Sequence, residues 1–223
     1  MKIATWNIER LKHIGDIEKI QEICNQIGAD VLVVTESDKR LELSFSNRFD
    51  SITPKDTELA VYKESECRVS IFTNYECIHS HITYDEQTAK CIELKTEFGS
   101  LIVYGTIMGI YGNRHSSYDS DVDNQMEDIH RLSKDKYVCV CGDYNCSFGD
   151  NYYFTKSGRV KVLNAFSEKE IAILTENQPE TIDHIAISQK FIEGAIVEVE
   201  EWNGDKSLSD HKGIAVTIKR QGA

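Results

Sequence analysis

The sequence predicts an α/β domain in which two β-sheets pack against each other and helices lie outside them. Strand-like apolar runs recur from one end of the 223-residue chain to the other. Between some of them, at 16–27 and 119–134, apolar residues recur at helical spacing. VLVVT at 31–35 is apolar without a break, as in a strand covered on both faces.

KIATWNIE opens as a strand, with Ile3, Thr5 and Asn7 on one face and Ala4 and Trp6 on the other. Asp16 stands where it would cap a helix through Ile17, Ile20, Ile23, Cys24 and Ile27, and Gly28 is a stop. Glu36 follows VLVVT at its end. Strands are then expected at ELAVYK (58–63), RVSIFTN (68–74), AKCIELKTE (89–97) and SLIVYGTIM (100–108), with Gly99 turning the last two into a hairpin. A helix over 119–134 leads into KYVCVCGDYN. VKVLNAF and IAILTEN are compatible with helix or strand, whereas TIDHIAIS, AIVEVEEW and GIAVTIKR are strand-like. No linker, repeat or low-complexity segment divides residues 1–223, so one domain is expected.

Composition narrows the function. The 40% apolar and 28% charged content is that of a soluble globular protein, and no run approaches a membrane span. MKIATWNIER lacks the apolar stretch of a signal peptide, so a cytoplasmic location is expected, with no obligate protein partner indicated. A net charge of −12 argues against a broad basic face that grips nucleic acid by phosphate neutralisation alone, although a bound divalent cation inverts a local field. The seven cysteines are odd in number and form no Cys-x-x-Cys, which fits reduced thiols better than a disulfide framework or a zinc site. In VCVCGDYNCSF, Cys139 and Cys141 alternate with valines as small hydrophobes of a strand, and the acidic turn that follows is the polar feature. His79 and His81, without nearby acidic partners, read as ordinary strand residues.

Polar groups gather where the predicted strands end: Asn7, Glu36, Asp143 with Asn145 and the pair Asp210-His211, while Asp183 lies within TIDHIAIS. Chemistry concentrates at such ends because a rigid scaffold positions them. In order, TWNIE, TESD, CGDYN, IDHI and SDH resemble the endonuclease/exonuclease/phosphatase superfamily. The resemblance runs from Asn7 to His211 and implies a four-layered α/β/β/α sandwich that hydrolyses phosphoester bonds with Mg²⁺, Mn²⁺ serving as a substitute. It further implies Glu36 as the main metal ligand, Asn7 as a ligand or an orienter of the metal's waters, and Asp210 as an additional ligand. Asp143 and Asn145 would align the attacking water and contact the phosphate. His211 would stand beside the scissile phosphate, oriented by Asp183. Glu9 is expected near the metal on the face of Asn7.

These residue types suit the reaction. Mg²⁺ prefers hard oxygen ligands and keeps several waters, so one or two carboxylates suffice. A water must lose a proton near neutral pH, and the charge that develops on phosphoryl oxygens is stabilised by a cation, an amide and an imidazolium. A carboxylate on the far nitrogen of an imidazole fixes its tautomer and raises its pKa.

The sequence departs from the family pattern at three points. Thr35 precedes Glu36 where relatives often have Gln, and Asp38 stands where they have a basic residue. The His or Tyr that relatives carry before the Gly-Asp turn falls near Ile107, leaving Tyr104, Asn113, Arg114 or His115 to substitute. Arg114 is the preferred candidate, because a guanidinium binds phosphate oxygens bidentately. The leading expectation is a phosphodiesterase acting on nucleic acid. A phosphomonoesterase on a small or lipid-derived phosphate and a non-catalytic binding module are the alternatives.

Overall fold

The computed structural model describes residues 1–56 and 61–220. Twelve strands are found there: β1 (Lys2–Asn7), β2 (Val31–Asp38), β3 (Asn47–Asp50), β4 (Glu66–Thr73), β5 (Glu76–His81), β6 (Ala89–Thr96), β7 (Gly99–Ile107), β8 (Tyr137–Asp143), β9 (Ile171–Ile173), β10 (Asp183–Ser188), β11 (Ala195–Trp202) and β12 (Gly213–Arg220). The α-helices are α1 (Ile17–Gln26), α2 (Tyr118–Leu132) and α3 (Lys156–Glu168). One sheet has the order β11-β12-β1-β2-β4-β3 and the other β5-β6-β7-β8-β10-β9.

Each sheet contains one parallel pair, β1–β2 and β7–β8, among antiparallel neighbours. A parallel pair needs a crossover, and α1 and α2 supply them. Alternation along the strands then builds three apolar layers. Ile3, Val33, Val69, Val103, Cys139, Cys141 and Ile185 meet between the sheets. Ala4, Trp6, Leu32 and Val34 face outward onto Ile20 and Cys24 of α1. Tyr104, Val138 and Val140 face outward onto Val122 and Ile129 of α2 and Phe166 of α3. This is the expected four-layered sandwich, and it explains the unbroken apolar runs: both faces of the central strands are covered.

Three local expectations change and one left open is resolved. ELAVYK falls partly on residues outside those described, and Val61–Lys63 form no strand; the edge of that sheet is β3 instead. Asp16 occupies the N-cap position of α1, but its side chain makes no capping bond. VKVLNAF belongs to α3, whose start is capped by the Thr155 hydroxyl accepting from the Gly158 N–H at 3.2 Å. Glu9 is not on a strand face, because β1 ends at Asn7 and the chain enters a tight turn. No helix among the described residues is long and apolar enough to cross a membrane.

Candidate active site

The carboxyl ends of the two parallel pairs lie at one end of the sandwich, and antiparallel pairing brings the starts of β10 and β12 beside them. Asn7 shares its parity with Ile3 and Thr5, so it projects between the sheets. Asp143 does the same in line with Cys139 and Cys141, and Asp183 in line with Ile185. The Asn7 amide therefore spans the gap and donates to Asp143 Oδ2 at 3.2 Å. Asp183 is the cross-strand partner of Asp143.

Glu36 arrives by another route. Strict alternation would send it outward with Leu32 and Val34. A φ of +44° at Glu36 breaks the alternation, and its Oε1 accepts from Asn7 Nδ2 at 3.4 Å. Gly142 makes the Asp143 turn possible. At its φ of +142° a β-carbon would meet the Thr106 carbonyl oxygen at 2.0 Å, so only glycine fits.

His211 Nδ1 lies 2.6 Å from Asp183 Oδ2. The loop carrying it is held through its backbone: the His211 carbonyl accepts from Trp6 Nε1 at 3.1 Å and Asn203 Nδ2 at 2.7 Å. Ser209 Oγ donates to the Asn7 carbonyl at 2.6 Å and accepts from the His211 N–H. Trp6, Asn203 and Ser209 were not legible as site supports, since each acts through a contact distant in sequence.

Burial and neighbouring charge set the protonation states. Burial works against charge on His211, but Asp183, Asp143 and Asp210 outweigh it, raising its pKa to about 10. Burial, reinforced by Asp183, pushes the Asp143 carboxyl up to about 7, against the opposing pull of His211 and the Asn145 N–H. Glu36 is raised by desolvation, partly countered by the Asn7 amide, His211 and Arg10.

The other expected residues divide. Asn145 lines the cleft in a left-handed turn with φ of +49°, its N–H donating to Asp143 Oδ1 at 2.8 Å. Its side-chain amide donates to the carbonyls of Met108 and Gly109 at 3.1 and 3.2 Å, so those hydrogens hold the neighbouring turn rather than face a phosphate. Asp210 is exposed, with Oδ1 3.5 Å from His211 Nε2. Asn7 turns its oxygen to the Glu9 N–H at 2.9 Å and its NH₂ to the two carboxylates, an arrangement that fits the orienting role rather than direct ligation. Glu9 Oε2 accepts from the Asp210 N–H at 2.9 Å and so ties the two loops together.

Arg114 is not brought into the site. Its guanidinium lies 5.9 Å over the Tyr153 ring, outside the lining of the cleft, because the 109–117 segment folds back through successive turns. Asn113 is used internally, donating to the Asn145 carbonyl at 2.6 Å, and Tyr104 is buried under α2 against Asp128. His115 bonds its own Ser117. Ile107 does line the cleft, without a polar replacement at its own position.

The cations that line the cleft come from the other sheet. A cavity of about 260 Å³ is bounded by Glu36, Asp143, Asn145 and His211 together with Arg10, Tyr62 and Arg68. Arg10 sits in the middle of three successive left-handed residues, Glu9, Arg10 and Leu11, with φ of 48°, 54° and 52°. Such a turn is costly for side-chain-bearing residues, by about 1–2 kcal/mol each, and strain of this kind concentrates at functional sites. Arg68 had one legible signal: a lone arginine at the head of a strand otherwise apolar enough to be buried. A second cleft of about 250 Å³ adjoins the first across His211 and is lined by Tyr152, Tyr153, Lys206 and Lys212.

No group of three or more His, Cys, Asp or Glu among the described residues encloses a metal-sized point. The site still suits a hard divalent cation. Glu36, Asp143 and Asp183 outnumber the imidazolium between them, Asp183 Oδ1 is buried without a partner, and Glu36 opens to the cleft. One carboxylate with retained waters is the kind of donor set Mg²⁺ accepts.

No family model matches the sequence, and no curated protein matches it. Solved structures do. The endonuclease/exonuclease/phosphatase from Beutenbergia cavernae superposes with a TM-score of 0.75 at 14% identity, over 100% of this chain and 72% of that one. The endonuclease domain of TRAS1, a telomere-specific non-LTR retrotransposon, gives 0.68 at 14% identity, over 99% and 98%. A humanized D. rerio TDP2 gives 0.68 at 14% identity, over 98% of each chain.

Proposed function

We propose, from a chain that has the endonuclease/exonuclease/phosphatase fold, that it is a divalent-metal-dependent phosphodiesterase acting on nucleic acid. The observation that carries this reading is His211 held by Asp183 at 2.6 Å with Asp143 and Glu36 on the same cleft. Its roles follow from the protonation states. Asp143, with a pKa of about 7, is matched to take the proton of an attacking water near neutral pH. The imidazolium of His211 faces the cleft with Nε2, where it stabilises charge on the phosphoryl oxygens and returns a proton to the leaving oxygen. As the new P–O bond forms and the old one breaks, Asp183 keeps the ring oriented and charged. Asn7 holds Glu36 and Asp143 at fixed separation, and Asn145 shapes the turn beside them.

Glu36 and Asp210 are the residues that would hold Mg²⁺, with Asn7 orienting its waters. Such an ion, when bound, neutralises the carboxylate excess and withdraws charge from the phosphoryl group. The second cleft supports the nucleic-acid reading. Tyrosines beside lysines provide stacking surfaces and phosphate contacts of the kind that hold single strands. The small first cleft and the net charge of −12 favour, as a second reading, a monoesterase on a compact phosphate.

Purified protein with Mg²⁺ is expected to hydrolyse bis-p-nitrophenyl phosphate and DNA in preference to p-nitrophenyl phosphate. EDTA, Glu36→Ala and His211→Ala should each lower the rate by about a hundredfold or more. Rates untouched by all three would refute the enzyme reading, and a preference for the monoester would select the second.

A further inference from the structure

The side chain that the proposed reaction leaves unexplained is Arg68. It is only 5% exposed, yet no carboxylate among the described residues lies within ion-pairing distance of it. Its hydrogen bond runs from Nε to the Tyr62 hydroxyl at 3.3 Å, and its guanidinium lies 5.1 Å over the Tyr62 ring. Asp121 feels its charge, but that carboxylate is engaged by the Gly109 N–H and Gln125. Burying a cation without a paired anion is expensive, and such groups are retained where a ligand completes them.

Position says what the ligand is. The β2–β4 ladder pairs Thr35 with Val69 and Ser37 with Cys67, so Arg68 stands opposite Glu36, one strand away from the proposed metal carboxylate. Arg10 adds a second guanidinium over the same tyrosine, at 5.2 Å; its Nη1 is held by Glu66 at 3.5 Å and the Val61 carbonyl at 3.2 Å, and its Nε lies 3.8 Å from Glu36. Two guanidiniums beside a phosphoester site form a natural fork for a second phosphate. The cavity of about 260 Å³ is smaller than the roughly 300–1,000 Å³ of pockets that enclose a drug-sized ligand.

We infer that Arg68, with Arg10 and Tyr62, binds a terminal phosphate adjacent to the scissile phosphoester, so that the substrate is a phosphate-ended strand or a small bisphosphorylated molecule. This rests on the phosphodiesterase reading, with the remainder of the substrate lying toward Tyr152 and Lys206.

The test is calorimetric and separate from turnover. In Mg²⁺, thymidine 3′,5′-bisphosphate should bind wild type at least about tenfold tighter than either thymidine monophosphate, the range of a charge-assisted bond. Arg68→Gln should erase that ratio, and Arg68→Lys, which keeps the charge without the fork, should retain part of it. Thermal melting of both variants checks that they fold; if Arg68→Gln does not, the lysine variant carries the comparison. A trinucleotide with and without a terminal phosphate identifies the source: a gain there marks strand ends, and a gain confined to the bisphosphate marks a small molecule. Equal affinity of wild type for mono- and bisphosphate overturns the inference even if diesters are hydrolysed. A bisphosphate advantage lost in Arg68→Gln but without diester hydrolysis keeps the phosphate site at Arg68 and overturns the proposed reaction.

Discussion

In the proposed reaction Asp183 and His211 act as one unit, joined by the 2.6 Å contact between a buried carboxylate and the imidazole. Asp183→Asn removes the charge that holds the ring protonated, and His211→Ala removes the ring. Each single change should lower kcat/KM for a diester by about a hundredfold or more, and the double variant should fall little further than the worse single. Additive losses in this cycle would show two separate contributions. The pair was legible in the sequence as what the resemblance of IDHI and SDH to the family implies. The sequence could not make Arg10 or Arg68 visible in the same way. Arg10 reaches the cleft through a left-handed turn that no pattern of residue types signals, and Arg68 through a register that exists only once β2 and β4 pair.

Among elements, β8 carries both a structural load and the proposed catalytic one. Gly142 is pressed against the Thr106 carbonyl of β7, so Gly142→Ala must displace the backbone just before Asp143. A loss of about 3 kcal/mol or more in urea unfolding is expected, together with loss of activity. The cysteines of the same strand have the opposite character. Cys139 and Cys141 lie between the sheets, Cys146 and Cys24 are buried with thiols raised to about 11 and about 12 by desolvation, and Cys67 and Cys91 are buried as well. Only Cys77, on β5, is partly exposed. Ellman's reagent should therefore titrate one thiol rapidly in the native protein and seven in denaturant. Rapid reaction of several native thiols would contradict this packing. Alternation of valine and cysteine was enough to anticipate the burial of Cys139 and Cys141, because successive side chains of a regular strand point to opposite faces.

At the scale of the whole molecule, acidification should cost stability at His184, against the opposite contributions of Asp143 and His211, whose raised pKa values favour the native state as pH falls. Its ring is fully buried, with Nδ1 2.9 Å from Thr175 Oγ1 and Nε2 3.0 Å from the Cys146 carbonyl, and burial depresses its pKa to about 4. Below about pH 6.5 the unfolded chain takes up a proton that the native ring refuses, so stability present above that pH is lost as pH falls toward 4. The full effect is on the order of 3 kcal/mol. The contribution is read by comparison: between pH 7.5 and 4.5 the urea midpoint of wild type should move further in the destabilising direction than that of His184→Gln, and identical movement in the two proteins would remove His184 as a contributor.

What the sequence by itself determined is the set of local rules: which runs are strands, which faces are apolar, and which polar groups stand at strand ends. Those follow from periodicity and from the cost of burying unpaired polar atoms, both of which act on neighbours in the chain. The edge strand β3, the turn that lifts Glu36 out of alternation, the diversion of Arg114 to Tyr153 and the two arginines beside Tyr62 were decided by tertiary structure. Each depends on which strand pairs with which and on where a loop finds its hydrogen bonds. Those choices are energetic comparisons among contacts between residues distant in sequence, and local composition does not encode them.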